Sequence, residues 1–152
     1  MVSLTIGNCY RQLISSRIEN LSRIILLTLS GNRDTTLPEE PLHTKADLEL
    51  IEQVLINLVK NALEAVKEEN TRKILLSALK ENNRTILSVK DTGSGIPQDQ
   101  MESIFVPFFT TKEAGTGIGL SFSQHIMRLH KGYIRVSSNP GKGSVFQLVF
   151  RL

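Results

Sequence analysis

The stretch NLVKNALEA (residues 57–65) places two asparagines four residues apart inside an apolar run. It belongs to the strongest helical pattern in the chain. Leu48, Ile51, Leu55, Leu58, Ala62 and Val66 step by three and four, defining a core-facing stripe over about 47–68, with Asp47 as its N-cap. Asn is roughly 0.6 kcal/mol worse than Ala in a helix interior. Asn57 and Asn61, at i and i+4, share a helix face. A buried amide without partners costs a further ~1–3 kcal/mol. An Asn carbonyl is a fit ligand for a hard cation such as Mg²⁺, which keeps waters and takes phosphate oxygens for its other positions. On spacing alone, polar residues at the edge of the stripe are an equally good reading.

The rest of the chain fits one globular unit. Its 152 residues are enough for a real core, and 40% hydrophobic with 22% charged content excludes a disordered or fibrous chain. The net charge of +3 is spread along the sequence, so no nucleic-acid stripe is indicated. Cys9 stands alone, which rules out a disulfide framework within the chain. The apolar run IILLTL (24–29) is far short of the ~20 residues of a membrane helix, and residues 1–20 lack the pattern of a signal peptide. The expectation is a soluble, cytoplasmic domain without membrane contact of its own, either whole or cut from a larger protein.

Outward from the helix, residues 7–20 read as a helix, 23–30 as a strand closed by GNRD, and TTLPEEPL (35–42) as a loop. KILLSAL (73–79) and TILSVK (85–90) are strands joined by a hairpin-like KENNR. The loop DTGSGIP (91–97) precedes a short helix at about 98–104. Residues 105–118 read as a mobile segment without regular structure, and a helix follows at 119–130. GYIRVSS (132–138) and SVFQLVF (144–150) are strands flanking the turn NPGKG (139–143). This succession predicts an α+β two-layer sandwich, with helices on one face of a mixed, mostly antiparallel sheet.

Three further constellations carry chemistry. In DTGSGIP, ionised Asp91 can only accept hydrogen bonds, which suits the exocyclic amine of adenine and disfavours the carbonyl of guanine. An ordinary strand-to-turn exit competes with that reading. In GTGIGL (115–120), exposed backbone amides before a helix make an anion site, although neither glycine set matches a Walker or dinucleotide fingerprint. In FVPFFTTK (105–112), Phe105, Phe108 and Phe109 are either core or the anchor of a lid, and Lys112 is in reach of a phosphate. His43, placed in a loop, and His125 and His130, on the last helix, show no acidic relay in sequence and read as structural or surface residues.

In this order the four elements resemble the N, G1, F and G2 boxes of bacterial sensor histidine kinases, over about residues 46–152. The resemblance implies a single catalytic ATP-binding domain of the Bergerat fold with a flexible ATP lid. Residues 1–45 would contribute an N-terminal helix, strand and loop. It implies that Asn61 binds Mg²⁺ and that Asn57 helps hold the metal-phosphate assembly. Asp91 would read adenine, with Gly93, Gly95 and Ile96 shaping that wall. Gly115, Thr116, Gly117, Gly119 and Leu120 would form the lid hinge and phosphate cradle. Phe108 and Phe109 would anchor the lid, with Thr111 beside them, and Lys60 and Lys112 would contact phosphate. The implied partners are ATP, the parent kinase's histidine-bearing dimerisation domain and, indirectly, a response regulator receiver domain.

Many members of that family carry Lys or Arg three residues after the metal-binding Asn, where this chain has Glu64. Ser121 and Ser123 replace commoner small or apolar residues. No His-Glu or His-Asp box followed by Pro occurs, so the dimerisation domain is expected to be absent and the chain inactive in autophosphorylation alone. Hydrolytic relatives of the gyrase, mismatch-repair and chaperone types, and the stand-alone serine kinases that act as anti-sigma factors, resemble the chain in fold. They carry Glu where Asn57 stands, and an amide is no general base at neutral pH. A non-catalytic, ATP-dependent interaction module is the third alternative.

Overall fold

The computed structural model describes residues 3–5, 43–66, 73–112 and 115–151. The expected helix at 7–20, the strand at 23–30, the loop at 35–42 and the end of the first helix beyond residue 66 lie outside them. Two short strands, β1 (Ser3–Thr5) and β2 (His43–Lys45), pair antiparallel. His43 is therefore in a strand, not in the expected loop. Three residues pairing with a partner about forty positions away leave no local signature for sequence reading to use.

Helix α1 (Leu48–Ala65) starts where the sequence places it, with Asp47 Oδ1 accepting the Leu50 amide at 3.1 Å. Ile51, Leu55, Leu58, Ala62 and Val66 are buried as expected, joined by Val54 and Val59. The buried arc is wider than one stripe because α1 packs against the sheet strand Arg84–Asp91 and against helix α2 (Gly119–Leu129) as well.

The main sheet comprises β3 (Ile74–Glu81), β4 (Arg84–Asp91), β5 (Tyr133–Asn139) and β6 (Gly143–Arg151), in the order β3-β4-β6-β5. Every pairing among the described residues is antiparallel. Asn82 and Asn83, both with positive φ (46° and 60°), make the two-residue turn between β3 and β4, as the twist of a hairpin favours. The register aligns Ala78 with Leu87, Leu87 with Leu148 and Leu148 with Ile134, so one continuous apolar face meets the helices. Asp91 and Ser144 fall on this same face at one end of the sheet, and Thr85 at the other.

The connection from β4 to β5 spans residues 92–132 and carries α2. The expected helix at 98–104 is shorter: a 3₁₀ turn (Gln98–Gln100) and one further turn closed by the Ile104 amide on the Gln100 carbonyl. Pro97 offers no side-chain cap, and a single turn cannot repay helix nucleation. Helix α2 ends in a Schellman motif. The Lys131 amide reaches the Arg128 carbonyl, the Gly132 amide reaches that of Met127, and Lys131 takes the left-handed conformation (φ 55°).

His130 ties the two helices together. Its Nδ1 donates to the Ile126 carbonyl at 2.7 Å while Nε2 accepts the Asp47 amide at 3.0 Å, at the start of α1. The structural role expected for this histidine is the one observed.

Thr85 Oγ1 is fully buried with no hydrogen-bond partner among the described residues. Thr85→Val keeps the shape and removes the unsatisfied hydroxyl. Urea or thermal unfolding should show stabilisation by about 1 kcal/mol.

Candidate functional site

Asn57, Asn61 and Ala65 follow one another at four-residue intervals along one edge of α1, a line about 12 Å long. Each meets a different neighbouring element. Asn57 Nδ2 donates to Ser123 Oγ of α2 at 2.9 Å, and its Oδ1 lies where a side chain at Gly119 would stand. Gly119 is thus a close-approach glycine, needed for the first turn of α2 to lie on the amide. Asn61 Oδ1 accepts from Lys112 Nζ at 3.0 Å, and the same ammonium forms an ion pair with Glu64. The Ala65 carbonyl accepts the Ser94 amide at 3.2 Å, holding the glycine loop against the end of α1.

At that end, Asp91 closes β4 with 3% of its surface exposed. Its Oδ1 accepts two backbone amides, Gly93 at 2.8 Å and Ser144 at 3.3 Å; Oδ2 takes part in neither bond. Burial pushes the Asp91 carboxyl above its ordinary pKa, and the Gly93 and Ser144 amides pull it back part of the way. Ser138 Oγ braces the loop from β5, accepting the Ile96 amide at 2.8 Å and meeting Ser144 Oγ at 2.9 Å. Gly95 has positive φ (70°) and presses against the Asn139 carbonyl, so the turn between β5 and β6 seats the loop as well. The Gly141 amide adds a 2.7 Å bond to the Ser94 carbonyl.

The remaining expected residues divide. Ile96 and Leu120 are half-buried and pack against the core, while Thr111 and Thr116 are exposed. Lys60 is exposed and forms no ion pair among the described residues. Of the two aromatic anchors, Phe109 packs on the core together with Phe105. Phe108 does not: its φ of 67° turns it outward and leaves it 75% exposed, while its amide bonds the Gly117 carbonyl at 3.0 Å. The rings of this segment that pack on the core are thus Phe105 and Phe109. Gly115 and Gly117 lie in the return of this segment toward α2, where the Gly115 amide bonds the Lys112 carbonyl at 3.1 Å.

Sequence reading gave Ser138 and Ser144 no role and noted Ser123 only as a departure from the family's pattern. Only Ser123 carried a signal, as a hydroxyl four residues after Gly119 and so on the same helix face. His125 is exposed on α2. No group of three or more His, Cys, Asp or Glu able to hold a metal occurs among the described residues.

The fold thus brings together a buried carboxylate at one end of a helix edge, two amides along it and a glycine-rich return beside them. Comparison with known proteins shows the family to which this arrangement belongs. Residues 46–152 match the model of the histidine kinase-, DNA gyrase B- and HSP90-like ATPase family. The sensor histidine kinase ZraS of Escherichia coli is 40% identical over 144 residues, 95% of this chain and 29% of that protein. Sporulation kinase C of Bacillus subtilis is 41% identical over 102 residues, 67% of this chain and 23% of that protein. The chain thus spans under a third of the curated relatives it matches. The solved catalytic domain of histidine kinase ThkA superposes with a TM-score of 0.76 at 30% identity, covering 99% of this chain and 94% of that one. The chain belongs to this ATPase family, as a catalytic domain of the histidine kinase kind. Among the described residues no helix is long and apolar enough to cross a membrane.

The raised pKa of Asp91 sets a pH dependence. Between the ordinary value of 3.8 and the raised one, the native state binds more proton than the unfolded state, so this group's contribution to stability falls as pH rises through that window. Asp91→Asn removes the titration and still offers an acceptor to the two amides. Its melting temperature should equal or exceed wild type at pH 7, the difference vanishing below pH 3.8 in parallel thermal melts.

Proposed function

We propose that the chain binds Mg-ATP and donates its γ-phosphoryl group to a histidine on a separate helical dimerisation domain, within two-component signalling. The observation that carries this reading is the edge of α1, where Asn57 and Asn61 lead to the buried carboxylate of Asp91. Asp91 Oδ2, left out of both internal bonds, is the acceptor for the adenine amine, and Gly93, Gly95 and Ile96 form the wall beside it. Asn61 Oδ1 already accepts a cation's hydrogen bond, and a hard amide oxygen facing solvent suits Mg²⁺. When bound, Mg²⁺ neutralises phosphate charge.

In the transfer, a lone pair on a neutral imidazole nitrogen forms a bond to the γ-phosphorus. The bond to the β,γ-bridging oxygen breaks, ADP leaves and the imidazole proton passes to solvent. Such a step needs positioning and charge stabilisation more than covalent help from the protein. No base need activate the nucleophile, and the residue best placed to act as one on a water, Asn57, is an amide whose Nδ2 is engaged by Ser123. That supports a histidine kinase over a hydrolytic ATPase or a serine kinase. The solved complex of ThkA with the response regulator TrrA, matched at 30% identity and a TM-score of 0.74 over 98% of this chain and 41% of that one, supports a response regulator as the downstream partner.

Titration of the purified chain with ATP should show Mg²⁺-dependent binding. Asp91→Asn should weaken it at least about tenfold without unfolding the domain. Label from γ-phosphate-labelled ATP should pass to a separately supplied histidine-bearing helical domain and not to a serine substrate. Absence of Mg²⁺-dependent binding by the wild type would sink the reading.

A further inference from the structure

Lys112 reaches across from the 105–118 segment to α1, and its ammonium stands between two oxygens on one helix face. Nζ donates to Asn61 Oδ1 at 3.0 Å and pairs with the Glu64 carboxylate, three residues further along α1. Its backbone is held separately, the Lys112 amide donating to Thr110 Oγ1 at 3.1 Å and its carbonyl accepting the Gly115 amide. Glu64 has a nearer choice in sequence, since Lys60 lies four residues before it on the same helix. That is the weaker orientation for a helical pair, and among the described residues the ion pair goes to Lys112 instead. With side chains 45% and 44% exposed, the pair adds little to stability. Its consequence is placement: a flexible four-carbon stem is brought to one spot beside Asn61.

We propose that Glu64 is a positioning residue for Lys112. It holds the ammonium at the mouth of the site, so that the 105–118 segment rather than α1 supplies the fixed positive charge met by the terminal phosphate of ATP. This rests on the Mg-ATP reading above. It explains why a carboxylate is tolerated beside a polyphosphate site: the Lys112 ammonium offsets its charge locally. A lysine placed at position 64 would reach the same spot from the helix side.

The test is titration of the full chain and its variants with Mg-ATP and with Mg-ADP, which lacks the terminal phosphate. Glu64→Gln should weaken Mg-ATP binding about three- to fivefold and leave Mg-ADP within about twofold, the scale of an exposed ion pair. Lys112→Met should weaken Mg-ATP about tenfold, the scale of a hydrogen bond to a charged group. The double variant Glu64→Lys with Lys112→Met, which relocates the cation to α1, should recover to within about threefold of wild type. An unchanged ATP-to-ADP preference in Glu64→Gln would overturn the proposal. So would tighter Mg-ATP binding by that variant, which would make the pair a brake, or a double variant no better than Lys112→Met. Wild type binding neither nucleotide would overturn the Mg-ATP reading itself.

Discussion

A helix buried on most of its circumference yet polar along one edge has to find partners for that edge elsewhere in the chain. This is the condition α1 imposes. Asn57 takes Ser123 from α2, Asn61 takes Lys112 from the 105–118 segment, and the Ala65 carbonyl takes Ser94 from the glycine loop. Even a half-buried amide or carbonyl loses water on one side and is stabilised by such a partner. The three elements that follow β4 are thus drawn onto one line of α1, and the site lies where they converge.

Asp91 is the second fixed point, and it works against stability. Its burial raises the energy of the charged form, and two backbone amides, one local and one from β6, offset only part of that. The surrounding hydroxyls of Ser138 and Ser144 and the seat provided by Asn139 hold the loop that brings the Gly93 amide to it. A fold that keeps a carboxylate here, where an amide would be easier to bury, retains the one feature that distinguishes an acceptor from a donor at the site.

Much was legible in the chain itself. The helix spanning NLVKNALEA, the β3–β4 hairpin, α2 and the final hairpin all announce themselves by periodicity and turn residues, because their stabilising contacts are local or repeat at short intervals. The motif residues on them were picked out by resemblance to a family, not by periodicity. The outward turn of Phe108 was not legible. Its neighbours in FVPFFTTK are all plausible anchors, and which ring turns inward depends on one backbone angle set by the Gly117 carbonyl nine residues later. The roles of Ser138 and Ser144 were hidden too, since nothing in their own segments marks them as neighbours of Asp91.

By itself, then, the sequence determined the two main helices, the strands of the main sheet and the α+β class, since these follow from local propensity and spacing. Only the tertiary structure decided the partnerships. Glu64, a departure from a pattern when read in sequence, becomes the partner of Lys112 because α1 and a segment about fifty residues away are folded face to face. Hydrogen bonds and ion pairs act over a few ångströms of space, and no spacing along the chain encodes which distant segment will occupy them.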